Sequence, residues 1–362
     1  MTPIAAARLV PYRLQLAAPH TDARGSFTTR EGVLLELTDA DGRSALGDCC
    51  PLPAPGAPFE AAVAALREAA QALPGAAPAD LFERHAEVPS PLPGAAAFAL
   101  ESAVGFLAAA HRGLTLAALL EPGAPRPAAL SVNALVDAAD VSAALEQAQR
   151  AAAGGYAVLK VKVGLGRARD LALLRALRGR LGHGVRLRLD ANGAWTGGEF
   201  LALAPALREA GVELVEQPVA PGEAAAPGRL AELRARTGLR IALDESLADP
   251  GAADLVAPET CDAIVLKPSQ LGLAYAARLA RAARASGIEV IVTGAFESAA
   301  GFAAVLEFAA AFGSPGTAHG LATALAVVGD PVEGVPKPAA GAIELPAAGV
   351  VPRLAAAREP SR

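Results

Sequence analysis

Three acidic residues each end a short apolar segment of the chain. Asp190 follows VRLRL, Glu216 follows VELV and Asp244 follows RIAL. If the segments are parallel barrel strands, these carboxylates meet at one end of the barrel and repel one another unless a cation lies among them. Oxygen ligands suit hard ions, so the spacing predicts a Mg²⁺ site, with Mn²⁺ as the alternative. The competing interpretation is that each acid caps a helix or forms an ordinary ion pair.

The chain has 32 lysine and arginine residues, of which only four are lysines: Lys160, Lys162, Lys267 and Lys337. Arginine keeps its proton in proteins, whereas a lysine can lose its proton when desolvated or crowded by other cations. Lys160 and Lys162 are two residues apart, so on a strand they face the same way. Lys267 ends another apolar segment, and Lys337, among prolines, is predicted to lie on the surface.

Lysines next to a metal and carboxylates indicate one class of chemistry. The metal neutralises a substrate carboxylate, and a lysine removes the proton from the adjacent carbon. Crowding is expected to lower a lysine pKa and make one lysine a base. Asn192 and Glu245, just beyond two of the acids, are predicted to support the metal ligands.

Apolar segments recur from about residue 130 with helical stretches between them. The spacing from Lys162 to Asp190 is 28 residues, followed by steps of 26, 28 and 23 to Glu216, Asp244 and Lys267. That length fits one strand and one helix, which predicts parallel strands. Seven clear units and a weaker eighth near 317–320 favour a (β/α)7β barrel, a modified TIM barrel. An open doubly wound sheet is the alternative, but no glycine-rich phosphate loop follows the first segment.

Residues 1–125 have a different pattern, which predicts an α+β capping domain ahead of the barrel. Three strand-like segments precede two helix-like ones, and the turn DADGR carries a hairpin signal. The barrel is predicted to span 126–329, and 330–362 to return to the capping domain. The polar segment 20–30 contains a glycine and is predicted to form a lid over the barrel mouth.

Composition excludes several classes of protein. The net charge is −5 and only 19% of residues are charged, so no nucleic-acid footprint is present. No apolar stretch of membrane-spanning length lacks a charge or a proline or glycine, and no signal peptide is evident, so a cytoplasmic enzyme is expected. The three cysteines, Cys49, Cys50 and Cys261, are predicted to be packed thiols. The sequence leaves the oligomeric state open.

Five motifs carry a resemblance to a known family. KVK (160–162), LDAN (189–192), VEQP (215–218), LDES (243–246) and VLKP (265–268) resemble the muconate-lactonizing branch of the enolase superfamily. Within this branch, ALGDCCPLP and TGAFESAAG are most similar to the o-succinylbenzoate synthase family. The resemblance implies dehydration of 2-succinyl-6-hydroxy-2,4-cyclohexadiene-1-carboxylate to 2-succinylbenzoate, in menaquinone biosynthesis. A small carboxylate is therefore the expected partner, with no nucleic acid or membrane.

The resemblance also implies individual roles. The three acids would bind Mg²⁺, Lys162 would be the general base with Lys160 as its electrostatic partner, and Lys267 would stabilise the intermediate from the opposite side. Arg188, one layer deeper in the barrel than Asp190, would organise the site. Thr293 and Gly320 match positions that contact the succinyl carboxylate.

Three departures from the family pattern concern substrate contacts. Thr293 and Gly294 replace common serines, LGL (271–273) replaces a double glycine, and HGLATAL (319–325) lacks an aspartate that often follows Gly-Leu. His319 lies near the mouth and is expected to have a loop role.

Two other functions stay open at this point. The same two-lysine site suits an N-acylamino acid racemase or a dipeptide epimerase, in which Lys267 would reprotonate the opposite face. A non-catalytic binding barrel is the other alternative, although the complete set of acids and lysines argues against it.

A chelator should abolish turnover and leave the fold intact, because the ion is predicted to bind only at the mouth of an aliphatic barrel. Circular dichroism checks the fold, and added Mg²⁺ or Mn²⁺ should restore activity. Full activity in metal-free protein would contradict the assignment of Asp190, Glu216 and Asp244 as ligands.

Overall fold

The computed structural model describes residues 2–22, 25–53, 58–87, 90–226, 228–248 and 250–355. All structural statements below concern these ranges. Two residues of the predicted lid, Ala23 and Arg24, lie outside them.

Sixteen strands and twelve helices are formed. The strands are β1 (Ile4–Asp22), β2 (Gly25–Asp39), β3 (Ser44–Cys49), β4 (Ala129–Val132), β5 (Ala134–Val136), β6 (Val158–Lys162), β7 (Arg186–Asp190), β8 (Val212–Glu216), β9 (Ile241–Leu243), β10 (Ala263–Leu266), β11 (Glu289–Val292), β12 (Ala318–His319), β13 (Val327–Val328), β14 (Val332–Glu333), β15 (Ala342–Glu344) and β16 (Arg353–Leu354). The helices are α1 (Pro58–Gln71), α2 (Pro78–Glu87), α3 (Gly94–Arg112), α4 (Leu116–Leu120), α5 (Val141–Ala153), α6 (Arg167–Leu181), α7 (Gly197–Glu209), α8 (Pro221–Ala224), α9 (Arg229–Thr237), α10 (Pro268–Leu271), α11 (Leu273–Ala285) and α12 (Ala299–Phe312).

The N-terminal part is an antiparallel sheet covered by helices, as predicted. The strand order is β13-β1-β2-β3, and β1 and β2 form a long hairpin that pairs His20 with Phe27. Helix α3 packs on β3 so closely that a side chain at Gly47 would collide with the backbone of Ala99. This sheet and its helices therefore form one packed layer beside the barrel.

Helix α3 is long and apolar enough to cross a membrane by length and composition. Its residues from Ala95 to Ala109 are nevertheless all buried in this fold, against the N-terminal sheet and neighbouring helices. Burial on all sides is what a core helix requires, and the apolar composition of α3 is explained by that position.

Seven parallel strands form the curled sheet, in the order β11-β10-β9-β8-β7-β6-β5. The ring closes through β12, because Gly320 donates its N–H to the carbonyl of Val292 and Asn133 donates to that of His319. The predicted (β/α)7β barrel is confirmed. Within β6, the side chains of Leu159 and Val161 are fully buried among the surrounding apolar residues, while the two lysines take the alternate face.

Helices follow most barrel strands, and local sequence explains their starts. Thr196 and Glu199 form a capping box at the start of α7, and Pro268 begins α10 directly after Lys267. The unit after β9 differs, since 3-10 turns at Glu245–Ala248 and Pro250–Leu255 replace an α-helix. This unit is the one with the shortest spacing, the 23 residues from Asp244 to Lys267.

The C-terminal segment divides its contacts. The strand that joins the N-terminal sheet is β13, which pairs Val328 with Gln15, just ahead of the segment predicted to return there. Strand β15 instead pairs with β4 at the barrel, while Val332 of β14 packs against Leu34 and Leu46 of the N-terminal sheet. The three cysteines are buried free thiols, as predicted.

Replacing Leu189 with alanine should lower the free energy of unfolding by about 2–5 kcal/mol, because this β7 side chain is fully buried and its loss leaves a cavity. Urea denaturation measures the change. The matched control is Leu165→Ala, at an exposed position, which should change stability by no more than about 0.5 kcal/mol. Equal effects of the two substitutions would contradict the barrel packing described above.

Candidate active site

Strand register brings the predicted charged residues together at the carboxyl ends of the barrel strands. Lys162 on β6 lies beside Asp190 on β7, and Asp190 lies beside Glu216 on β8. Asp244 follows β9, and Lys267 follows β10. Parallel strands align their carboxyl ends, so residues from five strands meet at one mouth.

The lysines and carboxylates form one buried cluster. Lys160 Nζ donates to Glu216 Oε1 at 2.7 Å and lies 2.9 Å from Asp190 Oδ2. Lys162 Nζ donates to Asp190 Oδ2 at 2.7 Å, and Lys267 Nζ donates to Asp244. Each ammonium group therefore has a carboxylate partner, as buried charges require.

Burial and the neighbouring carboxylates act on the lysine pKa values in opposite directions. Burial alone would lower the pKa of Lys160, but Asp190, Glu216 and Asp244 together outweigh burial and raise the pKa well above its ordinary value. Burial opposes the same upward shift at Lys267, where the charge of Asp244 is the main cause of a raised pKa. The expected lowering concerned one lysine crowded by its neighbour and by a bound metal, so it stays a prediction.

The carboxylates show the complementary effect. Burial alone would raise the pKa of Asp190, yet Lys160 and Lys162 outweigh it and hold the pKa far below its usual range. Burial, followed by the charge of Asp190, raises the pKa of Glu216 to about 8. Burial of the Glu216 carboxyl is the main cause, and it favours the protonated form.

The donor set suits a divalent cation. Asp190, Glu216 and Asp244 are buried and offer only oxygen atoms, the ligands preferred by Mg²⁺. The ammonium group of Lys160 lies between two of these carboxylates, which shows that a positive charge is accommodated there. Within the described ranges no group of three or more histidine, cysteine or acidic side chains is arranged as a ready metal site, so the metal assignment stays a prediction.

Asn192 and Glu245 lie where the sequence placed them, beside the cluster. Asn192 accepts a hydrogen bond from Lys162 Nζ at 2.7 Å and donates to Glu245 Oε1 at 2.8 Å. Asn192 has a φ of 45°, a left-handed conformation that asparagine tolerates better than most residues. Its geometry orients the side chain of Lys162.

Gln217 was not predicted, although it lies in the VEQP motif. It is fully buried with a φ of 39°, and its side-chain oxygen accepts hydrogen bonds from the backbone N–H groups of Asp244 and Ser246. Gln217 thus fixes the loop that carries Asp244. The signal was a polar residue directly after the strand-end acid Glu216.

A cleft opens above the charged cluster. Its described lining is His20, Phe27, Leu52, Asn133, Leu135, Lys160, Lys162, Asp190, Lys267, Thr293, Gly294, Ala295, Phe296, Gly320, Ala322 and Thr323. The first three residues come from the N-terminal domain. The described part of segment 20–30 therefore covers the barrel mouth, and it does so as the end of the β1–β2 hairpin.

His20 is a second cleft residue that the sequence did not single out. Its Nδ1 lies 3.0 Å from Asp137 Oδ2, and its ring packs against Phe27 and Phe296 with centroid separations of 5.3 and 4.6 Å. Asp137 is 117 residues away in sequence. Only the folded chain brings the two side chains together.

Arg188 and His319 lie away from the cleft. Arg188 donates to Thr317 Oγ1 at 3.0 Å and to Glu213 at 3.0 Å, near the amino-terminal ends of the strands. The family resemblance placed Arg188 one layer deeper than Asp190 and among the residues for substrate; in the structure its guanidinium pairs with Glu213 and Glu289, outside the described lining of the cleft. His319 Nδ1 accepts the N–H of Val292, and burial lowers the His319 pKa to about 4, so the imidazole is a neutral part of barrel closure.

Thr293 and Gly320 both line the cleft, and they bond to each other. Thr293 Oγ1 donates to the carbonyl of Gly320 at 2.8 Å. A Cβ at Gly320 would lie 2.3 Å from that hydroxyl, so only glycine fits. The threonine proton is already used, so Thr293 has no hydroxyl proton to offer a ligand carboxylate.

The barrel fold and its cluster of lysines and carboxylates agree with the match of this chain to a protein family. Residues 143–352 match the family model described as enolase C-terminal domain-like. The chain belongs to this family. The match covers the barrel from α5 onwards, including every lysine and carboxylate of the cluster.

Relatives in this enolase-like family carry out different reactions. The chain is 37% identical over 211 residues to the o-succinylbenzoate synthase of Thermobifida fusca, which covers 56% of this chain and 63% of that protein. It is 34% identical over 161 residues to the L-Ala-D/L-Glu epimerase of Bacillus subtilis, covering 43% of each. The alignments thus span less than two thirds of either relative.

A solved structure supports the fold over nearly the whole chain. The dipeptide epimerase of Enterococcus faecalis, in complex with Mg and the dipeptide L-Leu-L-Tyr, has a TM-score of 0.86 at 25% identity. The alignment covers 97% of this chain and 98% of the epimerase. Enolase-superfamily chemistry is therefore established for this chain by family, and the particular reaction is not.

Replacing Lys160 with methionine should lower the free energy of unfolding by about 3–5 kcal/mol in metal-free buffer, since two buried carboxylates lose their shared counter-charge. Chemical denaturation in the presence of a chelator measures this loss. Lys337→Met is the control, because Lys337 is exposed and its removal should be nearly neutral. Similar stability in both variants would show that Lys160 does not stabilise the cluster.

Proposed function

We propose that this protein is a Mg²⁺-dependent o-succinylbenzoate synthase that dehydrates 2-succinyl-6-hydroxy-2,4-cyclohexadiene-1-carboxylate. This proposed substrate has two carboxylates and no amine. The reaction removes a proton from the carbon next to the ring carboxylate and expels hydroxide, which leaves an aromatic ring. The cluster of lysines and carboxylates suits this chemistry.

The observation that carries the proposal is the charge of the cleft wall. Asp190 is the one carboxylate among the described lining residues, and Lys160 and Lys162 already neutralise it. An ammonium group of a dipeptide would therefore find no counter-charge in that wall. Ala322 in the same wall contributes a methyl group and no charge, which suits a substrate without an amine.

Lys162 would carry out both proton transfers of this reaction. Lys162, in its neutral form, would take the proton from the substrate carbon, and the bonding electrons of that C–H bond would move toward the carboxylate. As the C–O bond breaks, the Lys162 ammonium would return the proton to the departing hydroxide as water. Mg²⁺ held by the three acids would supply positive charge against the substrate carboxylate.

Lys160 and Lys267 would act through charge alone. Both amines donate to buried carboxylates, which favours their protonated forms and suits the stabilisation of negative charge on the substrate. Asn192 would hold Lys162 in place through the bond to Nζ.

The second candidate is racemisation or epimerisation by the same site. Lys162 and Lys267 bond to different acids, Asp190 and Asp244, on strands that are not neighbours, which suits proton transfer at two faces of a substrate. The likeness to epimerases also favours it. A two-base reaction would require Lys267 to lose and gain a proton.

A direct assay separates these candidates. The purified chain with Mg²⁺ is offered the cyclohexadiene substrate, an N-acylamino acid and L-Ala-L-Glu, with the last two in deuterated water. The proposal predicts formation of the aromatic product and little deuterium in the dipeptide. Efficient dipeptide exchange without dehydration would contradict it.

Lys162→Arg should reduce the dehydration rate by about 10⁴-fold, since arginine keeps the charge but cannot accept the proton. Lys267→Arg should have a milder effect because that role needs only positive charge. The kcat of each purified variant measures the difference.

Equal and severe losses in the two variants would favour the racemase interpretation, in which each lysine serves one face. Wild-type rates in Lys162→Arg would rule out Lys162 as the base. Lys337→Arg, at the surface, serves as the control for arginine substitution itself.

A further inference from the structure

The proposed substrate carries a second carboxylate at the end of its succinyl tail, and the inference below rests on that proposed function. The lysines and acids at the barrel mouth account for the ring carboxylate. The tail must reach another part of the cleft, and its charge needs a partner there, because an unpaired carboxylate is strongly disfavoured in a partly desolvated site.

The residues expected to hold the tail do not offer what it needs. The Thr293 hydroxyl donates to the Gly320 carbonyl at 2.8 Å, and the Gly320 N–H donates to the Val292 carbonyl. Both donors therefore already have acceptors within the barrel wall. The carboxylate partner has to come from elsewhere in the cleft.

Outside the lysine cluster, His20 is the one protonatable nitrogen-bearing side chain in the described lining. It is 8% exposed, and Asp137 holds its Nδ1 at 3.0 Å. Asp137 is itself held, since its other oxygen accepts a hydrogen bond from Gln147 at 3.2 Å. A histidine held by a carboxylate at Nδ1 has its orientation set, and as an imidazolium it can donate from Nε2 to a second acceptor.

The position of the ring is fixed from both domains. Phe27 on the N-terminal hairpin contacts the ring edge to face, and Phe296, with a φ of 59°, contacts it from the barrel side. Because Nδ1 is taken by Asp137, the atom that His20 offers to a ligand is Nε2.

A second polar atom lies in the same wall. Thr323 Oγ1 is buried without a hydrogen-bond partner in the described structure. His20, Phe296 and Thr323 also line a neighbouring pocket that opens between β5 and the turn after β12. The wall between the two spaces therefore carries one held imidazole and one unused hydroxyl, which together suit a carboxylate.

We propose that His20, oriented by Asp137, binds the terminal carboxylate of the substrate tail through Nε2–H, and that the Thr323 hydroxyl donates a second hydrogen bond. This pair then selects substrates with an anionic tail. Asp137 acts as a positioning residue and does not touch the substrate.

The test compares ligands that differ only in the tail charge. Isothermal titration of the Mg²⁺-loaded protein measures affinity for 2-succinylbenzoate and for 2-butyrylbenzoate, in which a methyl group replaces the carboxylate. The same comparison is made with N-succinylphenylglycine and N-butyrylphenylglycine. Wild type should bind each succinyl ligand more tightly than its butyryl partner.

His20→Phe should weaken both succinyl ligands by about 10-fold or more, as expected for the loss of a hydrogen bond to a charged group. It should change the butyryl ligands by less than about 2-fold, because phenylalanine keeps the contacts with Phe27 and Phe296. In turnover, KM should rise while kcat is kept. His183→Phe, at an exposed histidine, is the matched control and should change nothing.

If His20→Phe does not fold, Asp137→Asn and Thr323→Val provide the same test. Each should weaken the binding of succinyl ligands selectively, by a smaller factor than His20→Phe. Equal losses for succinyl and butyryl ligands would overturn the proposal, because they would indicate packing alone. Absence of any loss, or a wild type without preference for the succinyl ligands, would also overturn it.

The outcome separates this inference from the proposed function. A selective loss of succinyl binding in a protein that does not dehydrate the cyclohexadiene would support the role of His20 and refute the synthase assignment. If the protein dehydrates the cyclohexadiene and His20→Phe keeps the preference for succinyl ligands, the synthase assignment would be supported and the role of His20 refuted.

Discussion

The structure depends on one electrostatic constraint, the burial of lysine ammonium groups and carboxylates at the carboxyl ends of the barrel strands. Each charge is tolerated only because an opposite charge lies within hydrogen-bond distance, as in the pair of Lys162 and Asp190 at 2.7 Å. Burial, followed by the charge of Asp190, raises the pKa of Glu216. A divalent cation held by these acids would act on the same carboxylate charges as the lysines.

The rest of the fold serves this arrangement. Strand alternation directs Lys160 and Lys162 inward while Leu159 and Val161 pack outward, and parallel register places Asp190 between its neighbours. The N-terminal hairpin then covers the mouth and adds an imidazole and an aromatic ring. Charge chemistry therefore comes from the barrel, while selection of the substrate tail would come from the contact between the two domains.

Much of this could be predicted from sequence because it is periodic and local. Strand-end acids recur at a spacing that fits repeated strand–helix units, and a lysine among arginines is conspicuous. His20 with Asp137 could not be predicted, since a pairing across 117 residues leaves no local pattern. The partners of Arg188 could not be predicted for a related reason, since Glu213 and Glu289 lie on other strands and only the closed barrel brings them to its guanidinium.

The most direct test of the account is a single-turnover measurement with substrate deuterated at the carbon that bears the ring carboxylate. Rapid quenching of the Mg²⁺-loaded protein follows the first appearance of 2-succinylbenzoate without interference from product release. Proton removal by Lys162 predicts slower conversion of the deuterated substrate than of the ordinary one. Identical single-turnover rates, with the aromatic product formed, would contradict a mechanism in which the lysine breaks the C–H bond.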